Sequence, residues 1–155
     1  MKIRLLTITH KSPSWIQEGY EDYAKRLPPH CCLELVEIPA LKRTANADLK
    51  RLTEREGEKM LAAIKPLHRV VALDKNGKAW TSEQLAHQLQ GWLQGGQNID
   101  LLVGGPEGLA AACLQRAQET WSLSALTFPH LIVRLIVAEQ IYRAYSILQN
   151  SPYHR

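Results

Sequence analysis

Short apolar runs alternate with longer amphipathic ones along the whole chain. Ile3 to Thr9 reads as a buried strand. Pro13 opens a stretch in which Trp15, Ile16, Tyr20, Tyr23, Ala24 and Leu27 recur at helical spacing, and Pro28-Pro29 stops it. Leu33 to Ile38 predicts a second strand, closed by Pro39. A polar, basic loop from Ala40 to Ala45 follows, containing Lys42 and Arg43. Asn46 is the expected N-cap of a helix running to about Ile64. Along it Lys50, Arg51, Arg55 and Lys59 alternate with Glu54, Glu56 and Glu58, which predicts an ion-paired solvent face.

The alternation continues. Arg69 to Leu73 predicts a third strand, and Asp74–Lys78 a loop with an Asn-Gly turn signal. Thr81 and Gln84 fit a capping box for a helix carrying Leu85, Leu89, Trp92 and Leu93, ended by Gly95-Gly96. Ile99 to Val103 is strand four. A helix is expected from about Leu109 to Glu119, then a short fifth strand from Ser122 to Phe128. Pro129 suits the first turn of a final helix to about Leu148. Strand and helix thus alternate five times, which predicts an α/β fold with a mainly parallel sheet and helices on both faces. With no repeat, low-complexity segment or linker, residues 1–155 fit one domain.

The final helix departs from the amphipathic rule. Leu131, Ile132, Leu135, Ile136, Val137, Ile141, Tyr142, Tyr145, Ile147 and Leu148 cover more than one face, and a helix apolar nearly all round is buried on both sides. In a chain this small the second cover is expected to be a partner subunit, making this the interface of a homodimer; the alternative is a helix central to a single fold.

Composition narrows the class. Hydrophobic residues are 45% and charged residues 22% of the chain, which is ordinary globular usage. A net charge of +4 favours an anionic partner such as nucleic acid, but there is no block of about five like charges. Cys31, Cys32 and Cys113 are odd in number and two are adjacent, which argues against a disulfide framework and for a reduced, cytoplasmic protein. No Cys or His spacing fits a zinc site, so no metal is expected. The polar-interrupted start Met1-Lys2-Ile3-Arg4-Leu5 does not read as a signal peptide. No apolar stretch reaches about 18 residues, so no membrane span is expected.

The strongest chemical signal is Gly104-Gly105-Pro106-Glu107-Gly108, between the fourth strand and the next helix. In open α/β sheets ligands bind at the carboxyl ends of strands, beside such turns. The stretch is neither G-x-G-x-x-G nor a P-loop, and Glu107 would repel a phosphate. It therefore fits a ligand without a pyrophosphate, or an ordinary strand-to-helix turn.

Further segments join it: Leu123-Ser124-Ala125-Leu126-Thr127-Phe128-Pro129-His130, Ala138-Glu139-Gln140-Ile141-Tyr142-Arg143-Ala144 and the end Asn150-Ser151-Pro152-Tyr153-His154-Arg155. Together with the Trp15 helix, Ile38-Pro39-Ala40 and Lys42-Arg43, they resemble the RlmH family over the whole chain. These are the ribosomal RNA large-subunit methyltransferases H, of the knotted SPOUT class. The resemblance implies a carboxyl-terminal trefoil knot, which general connection rules would not predict. It also implies transfer of a methyl group from S-adenosyl-L-methionine to N3 of pseudouridine 1915 in helix 69 of 23S rRNA. A chain this small has little surface for reading sequence, which favours assembled ribosomes over free RNA as the target.

The cofactor loops of that family map onto Leu73, Gly104, Gly105, Leu123, Ser124, Ala125, Leu126, Thr127 and Phe128. All lie at expected carboxyl ends of strands, where apolar side chains and bare glycines can form an adenine slot. Phe128 stands where a smaller apolar residue is common. The reaction also needs a base for the N3 proton. His154 suits that task by its near-neutral titration, Tyr153 can stack on the target base, and Arg155 can hold a phosphate. In the family this tail reaches an active site built around the dimer interface. Lys2, Arg4, Lys11, Lys42, Arg43, Lys50 and Arg51 are the candidate phosphate contacts. Glu107 either orients the glycine loop or faces the cofactor amine, and His130 is a possible cap for the last helix. The rival readings are a non-catalytic RNA- or ribosome-binding factor on the same fold, and a flavodoxin-like nucleotide-binding enzyme.

Overall fold

The computed structural model describes residues 1–154; Arg155 lies outside them. The elements in chain order are β1 (Lys2–Thr9), α1 (Ser14–Ala24), β2 (Cys32–Pro39), α2 (Leu49–Ala63), β3 (Arg69–Ala79), α3 (Ser82–Gly95), β4 (Ile99–Val103), α4 (Ala111–Arg116), β5 (Glu119–Ser122) and α5 (His130–Leu148). Short 3-10 turns precede β2 and follow α5. The strands form one sheet in the order β2-β1-β4-β3-β5, and every pairing is parallel. That order departs from the 2-1-3-4-5 of flavodoxin-like folds.

Side chains alternate between the two faces along each strand. Ile3, Leu5, Val71, Ile99, Leu101 and Val103 pack with α1, α3 and α5. Leu6, Ile8, Val70, Ala72 and Leu102 pack with Met60 of α2 and Cys113 of α4. The crossovers through α1 and α3 step one way along the sheet and lie on one face. Those through α2 and α4 step the other way and lie on the opposite face, as a uniform crossover hand requires. The chain then leaves the edge strand β5 and returns to the first face, where α5 packs on α1 and α3.

Helix α5 is therefore central within its own fold. Val137, Ala138, Ile141 and Ala144 are buried, while Leu131, Ile132, Leu135, Ile136, Tyr142, Tyr145, Ile147 and Leu148 are half-buried. Gly19 makes the α1–α5 approach possible, because a Cβ there would sit 2.9 Å from a methyl of Leu135.

Some boundaries differ from the sequence expectation. The N-cap of α2 is Asp48, whose carboxylate accepts from Arg51 N–H, in place of Asn46. The Thr81–Gln84 capping box forms as expected. Strand β3 runs through the expected loop. Leu73 and Lys78 both pair with Trp121, so residues 74–77 bulge out of a strand that resumes beyond them. Gly77 lies against the backbone of Thr120 and Trp121, where a Cβ would come within 2.7 Å. Strand β5 lies earlier than expected, at Glu119–Ser122, so α4 is shorter and residues 123–128 form a loop.

Candidate cofactor crevice and active site

All strands being parallel, their carboxyl ends share one edge, and the loops that leave β3, β4 and β5 meet there. They enclose an open crevice of about 610 Å³, within the range of small-molecule sites. Leu73, Gly104, Gly105, Leu123, Ser124, Leu126, Thr127 and Phe128 line it. Of the residues expected to bind cofactor, Ala125 is not in the lining and faces solvent in the same loop. Trp121, stacked on Trp80 with ring centroids 5.5 Å apart, adds to the apolar lining.

Each loop is shaped by a local device. In the glycine loop, Gly105 and Gly108 pair as an isolated bridge, with Gly108 N–H donating to Gly105 O at 3.0 Å. A Cβ on Gly104 would lie 2.6 Å from Gly108 O and Leu109 N, so the turn closes only around a bare Cα. Gly108 has φ +83°, a conformation glycine adopts cheaply. In the 123–128 loop, Ser122 Oγ donates to Ser124 O at 3.2 Å and Leu126 N–H donates to Ser124 Oγ at 3.0 Å. Those hydroxyls turn the chain away from the ladder and leave Leu126 72% exposed at the crevice.

The crevice chemistry fits a neutral heterocycle joined to a charged tail. Leucines, Phe128 and Val103 offer apolar surface, and the glycines offer backbone groups. Asp74 and Lys75, in the β3 bulge, bring one charge of each sign to the wall, which matches an amino-acid zwitterion. Nothing in the described lining resembles a phosphate nest.

Several contributors were missed or misread from sequence. His130, expected only as a possible cap, lines the crevice. Burial, with His10, Arg134 and Arg43 nearby, holds its imidazole below the ordinary histidine value. Arg43 was expected on phosphate. Instead its guanidinium grips Glu56 with two bonds of 2.8 Å and Glu107 at 2.6 to 3.2 Å, which turns Glu107 toward Arg43. Arg4 is likewise no phosphate contact, being buried against Asp100. Lys2 pairs with Glu34 at 2.9 Å on the surface. Such partners, tens of residues apart, leave no local pattern.

Within one chain, Tyr153 and His154 do not line the crevice. Tyr153 folds back on α5, where its hydroxyl donates to Glu139 Oε1 at 3.2 Å and its ring meets Tyr142 edge-on at 4.7 Å. Arg143 lies over the same ring, 5.0 Å from its centroid. Burial, with Tyr23 and Glu139 adding to it, raises the phenol above its ordinary value. His154 Nδ1 is buried with no hydrogen-bond partner among the described residues. Arg155 lies outside those residues.

No helix is long and apolar enough to cross a membrane among the described residues. The family described as a predicted SPOUT methyltransferase matches residues 1–154. The ribosomal RNA large subunit methyltransferase H of Methylococcus capsulatus (strain Bath) is 53% identical over 155 residues, covering 100% of both chains. Among solved structures, a probable methyltransferase from Bordetella pertussis Tohama I has a TM-score of 0.59 at 14% identity, over 92% of this chain and 95% of that one. A probable methylase family protein from Haemophilus influenzae Rd KW20 has a TM-score of 0.58 at 12% identity, over 99% of this chain and 70% of that one. At such identities these two establish the fold alone. By the family match over nearly every residue and the full-length identity to a curated member, this chain belongs to the SPOUT methyltransferase family.

Proposed function

We propose that this methyltransferase uses S-adenosyl-L-methionine to methylate N3 of pseudouridine 1915 in helix 69 of 23S rRNA, on the assembled ribosome in the cytoplasm. The observation that carries the proposal is the crevice at the carboxyl ends of β3, β4 and β5, lined by all but one of the residues expected there from sequence. The full-length identity to a large-subunit rRNA methyltransferase supports the choice of target.

In this reading Leu73, Gly104, Gly105, Leu123, Ser124, Leu126, Thr127 and Phe128 hold the cofactor. S-adenosylmethionine supplies a methyl group on a sulfonium. The chain aligns the target nitrogen with that methyl. His154 takes the N3 proton and becomes imidazolium. With that proton gone, the nitrogen is left as the nucleophile for the methyl group that the bound cofactor would supply. Tyr153 stacks on the base, and Arg155 holds a flanking phosphate.

The tail needs a second protomer. In one chain Tyr153 rests on the middle of α5, away from the crevice lining. A homodimer through the half-buried outer side of α5 brings the tail of one protomer to the crevice of its partner. Residues 1–155 then act as one catalytic domain, with the family's carboxyl-terminal knot formed where the chain returns from β5 to α5.

The test is to titrate the purified protein with S-adenosylmethionine by calorimetry and then supply ribosomes lacking the methyl mark. Saturable binding abolished by Gly105→Trp, and a methyl group at N3 of that pseudouridine, are the expected results. A folded dimer that binds no cofactor at millimolar concentration would move the assignment to a non-catalytic ribosome-binding factor.

A further inference from the structure

Three charged side chains from three separate segments meet at the glycine loop, where Glu107 also lines the crevice. Arg43 comes from the loop between β2 and α2, Glu56 from α2, and Glu107 from the glycine loop itself. Glu56 is 3% exposed, and each of its oxygens accepts from a different guanidinium nitrogen at 2.8 Å. It also accepts from Leu41 N–H at 2.8 Å, and Arg43 Nη1 donates to Leu41 O at 2.9 Å. The guanidinium is thus fixed before it reaches Glu107, which it then holds through Nε and Nη2. Arg43 Nη2 also lies where a Cβ on Gly105 would come within 3.8 Å of it.

Glu107 is the glycine loop's only charged side chain, since its neighbours are three glycines and a proline. Glycines give a loop many accessible conformations, and Gly104–Gly108 closes on itself through one backbone bridge. The loop's position against the rest of the fold is set by the packing of the buried Gly105 on Ile8 and by what grips Glu107. A charge-assisted contact with an already anchored guanidinium is strong and directional.

We propose that Arg43 is a positioning residue for the cofactor: held by Glu56 and Leu41, it fixes the glycine loop through Glu107 in the shape the crevice needs. This rests on the reading that the crevice binds S-adenosylmethionine. Arg43 acts through Glu107 and does not touch the reacting atoms.

Calorimetric titration with S-adenosylmethionine tests it on three full-length variants. Glu107→Ala should weaken binding roughly tenfold, with a melting temperature close to that of the parent, because Glu107 lies at the surface. Glu107→Gln, which keeps an acceptor, should recover part of the loss. Arg43→Gln should weaken binding about as much as Glu107→Ala, and combining the two should add little, because both break one link. A merely structural role would instead lower stability without that non-additivity. Should Arg43→Gln fail to fold, the Glu107 variants still decide. Unchanged affinity in Glu107→Ala, beside a parent protein that binds, would overturn the positioning role alone. No binding by the parent protein would overturn both this role and the cofactor reading.

Discussion

Arg4 and Asp100 are register partners on the adjacent strands β1 and β4, and Arg4 Nη1 lies 3.0 and 3.2 Å from the two carboxylate oxygens. Asp100 is wholly buried, and it also accepts Lys65 N–H at 2.9 Å and lies 3.0 Å from His68 Nδ1. This cluster sits toward the amino end of the sheet, opposite the crevice. Asp100→Ala leaves the Arg4 guanidinium buried without a counter-charge and should cost about 3–5 kcal/mol. Urea unfolding measures the loss, and cofactor affinity of the folded fraction should not change. A loss of affinity with stability intact would contradict this division of labour.

Gly104→Ala tests the crevice from its backbone. The added methyl meets Gly108 O and Leu109 N at 2.6 Å, and neither can retreat without opening the loop. Cofactor affinity should fall by about tenfold or more while the folded state survives, because overpacking costs about 1–3 kcal/mol. Calorimetry and circular dichroism together separate the two effects.

The acid limb of stability should carry the signature of the Arg43 cluster. The hydrogen bonds from Arg43 hold Glu107 below its ordinary value near 4.5. Burial pushes Glu56 up, but Arg43 and Leu41 N–H outweigh it and the net shift is downward. A carboxylate depressed in the folded state contributes stability that is full above its ordinary value and is lost as pH falls through the depressed one. The melting temperature should hold down to about pH 5 and fall below that. Arg43→Gln should start lower and show a shallower acid limb, as thermal melts at a series of pH values would reveal.

Removing the proposed base should separate chemistry from binding. His154→Ala should lower kcat by a factor of about 10² to 10⁴ and leave the dissociation constant for S-adenosylmethionine unchanged. Methylation at the normal rate would remove His154 from the mechanism.

Ribosome binding should weaken with salt in proportion to the phosphates contacted. Lys11→Ala and Lys42→Ala should each reduce the slope of log affinity against log salt by about one. Arg4 and Arg43 are committed to Asp100, Glu56 and Glu107, so their substitution should leave that slope in place.

The sequence pattern carried the parallel α/β fold and the four longest strands, because burial on both faces writes strands as apolar runs, whereas the crevice residues came from the family resemblance. It misplaced β5, since Ser122 to Phe128 has the composition of a strand. Ser122 and Ser124 satisfy loop backbone with their hydroxyls, whereas the polar pair Glu119-Thr120 takes the edge position, with Arg69 Nε donating to Glu119 Oε1 at 2.7 Å. Asn46 lost the N-cap to Asp48 because both residues suit the position. What stayed hidden was long-range charge pairing. Arg43 and Glu107 stand 64 positions apart, and each alone reads as a surface charge.

Helix α5 has the crevice at its first turn, where His130 and Val133 line it, and Tyr153 docked nine residues further on against Glu139. Nine residues of helix span about 13 Å, a gap that one tail resting on its own helix does not close. Under the proposed dimer, each chain on its own would be fully folded and still half an enzyme. Dilution would then switch the activity off with no unfolding at all, and turnover per molecule would rise with protein concentration until every α5 is paired.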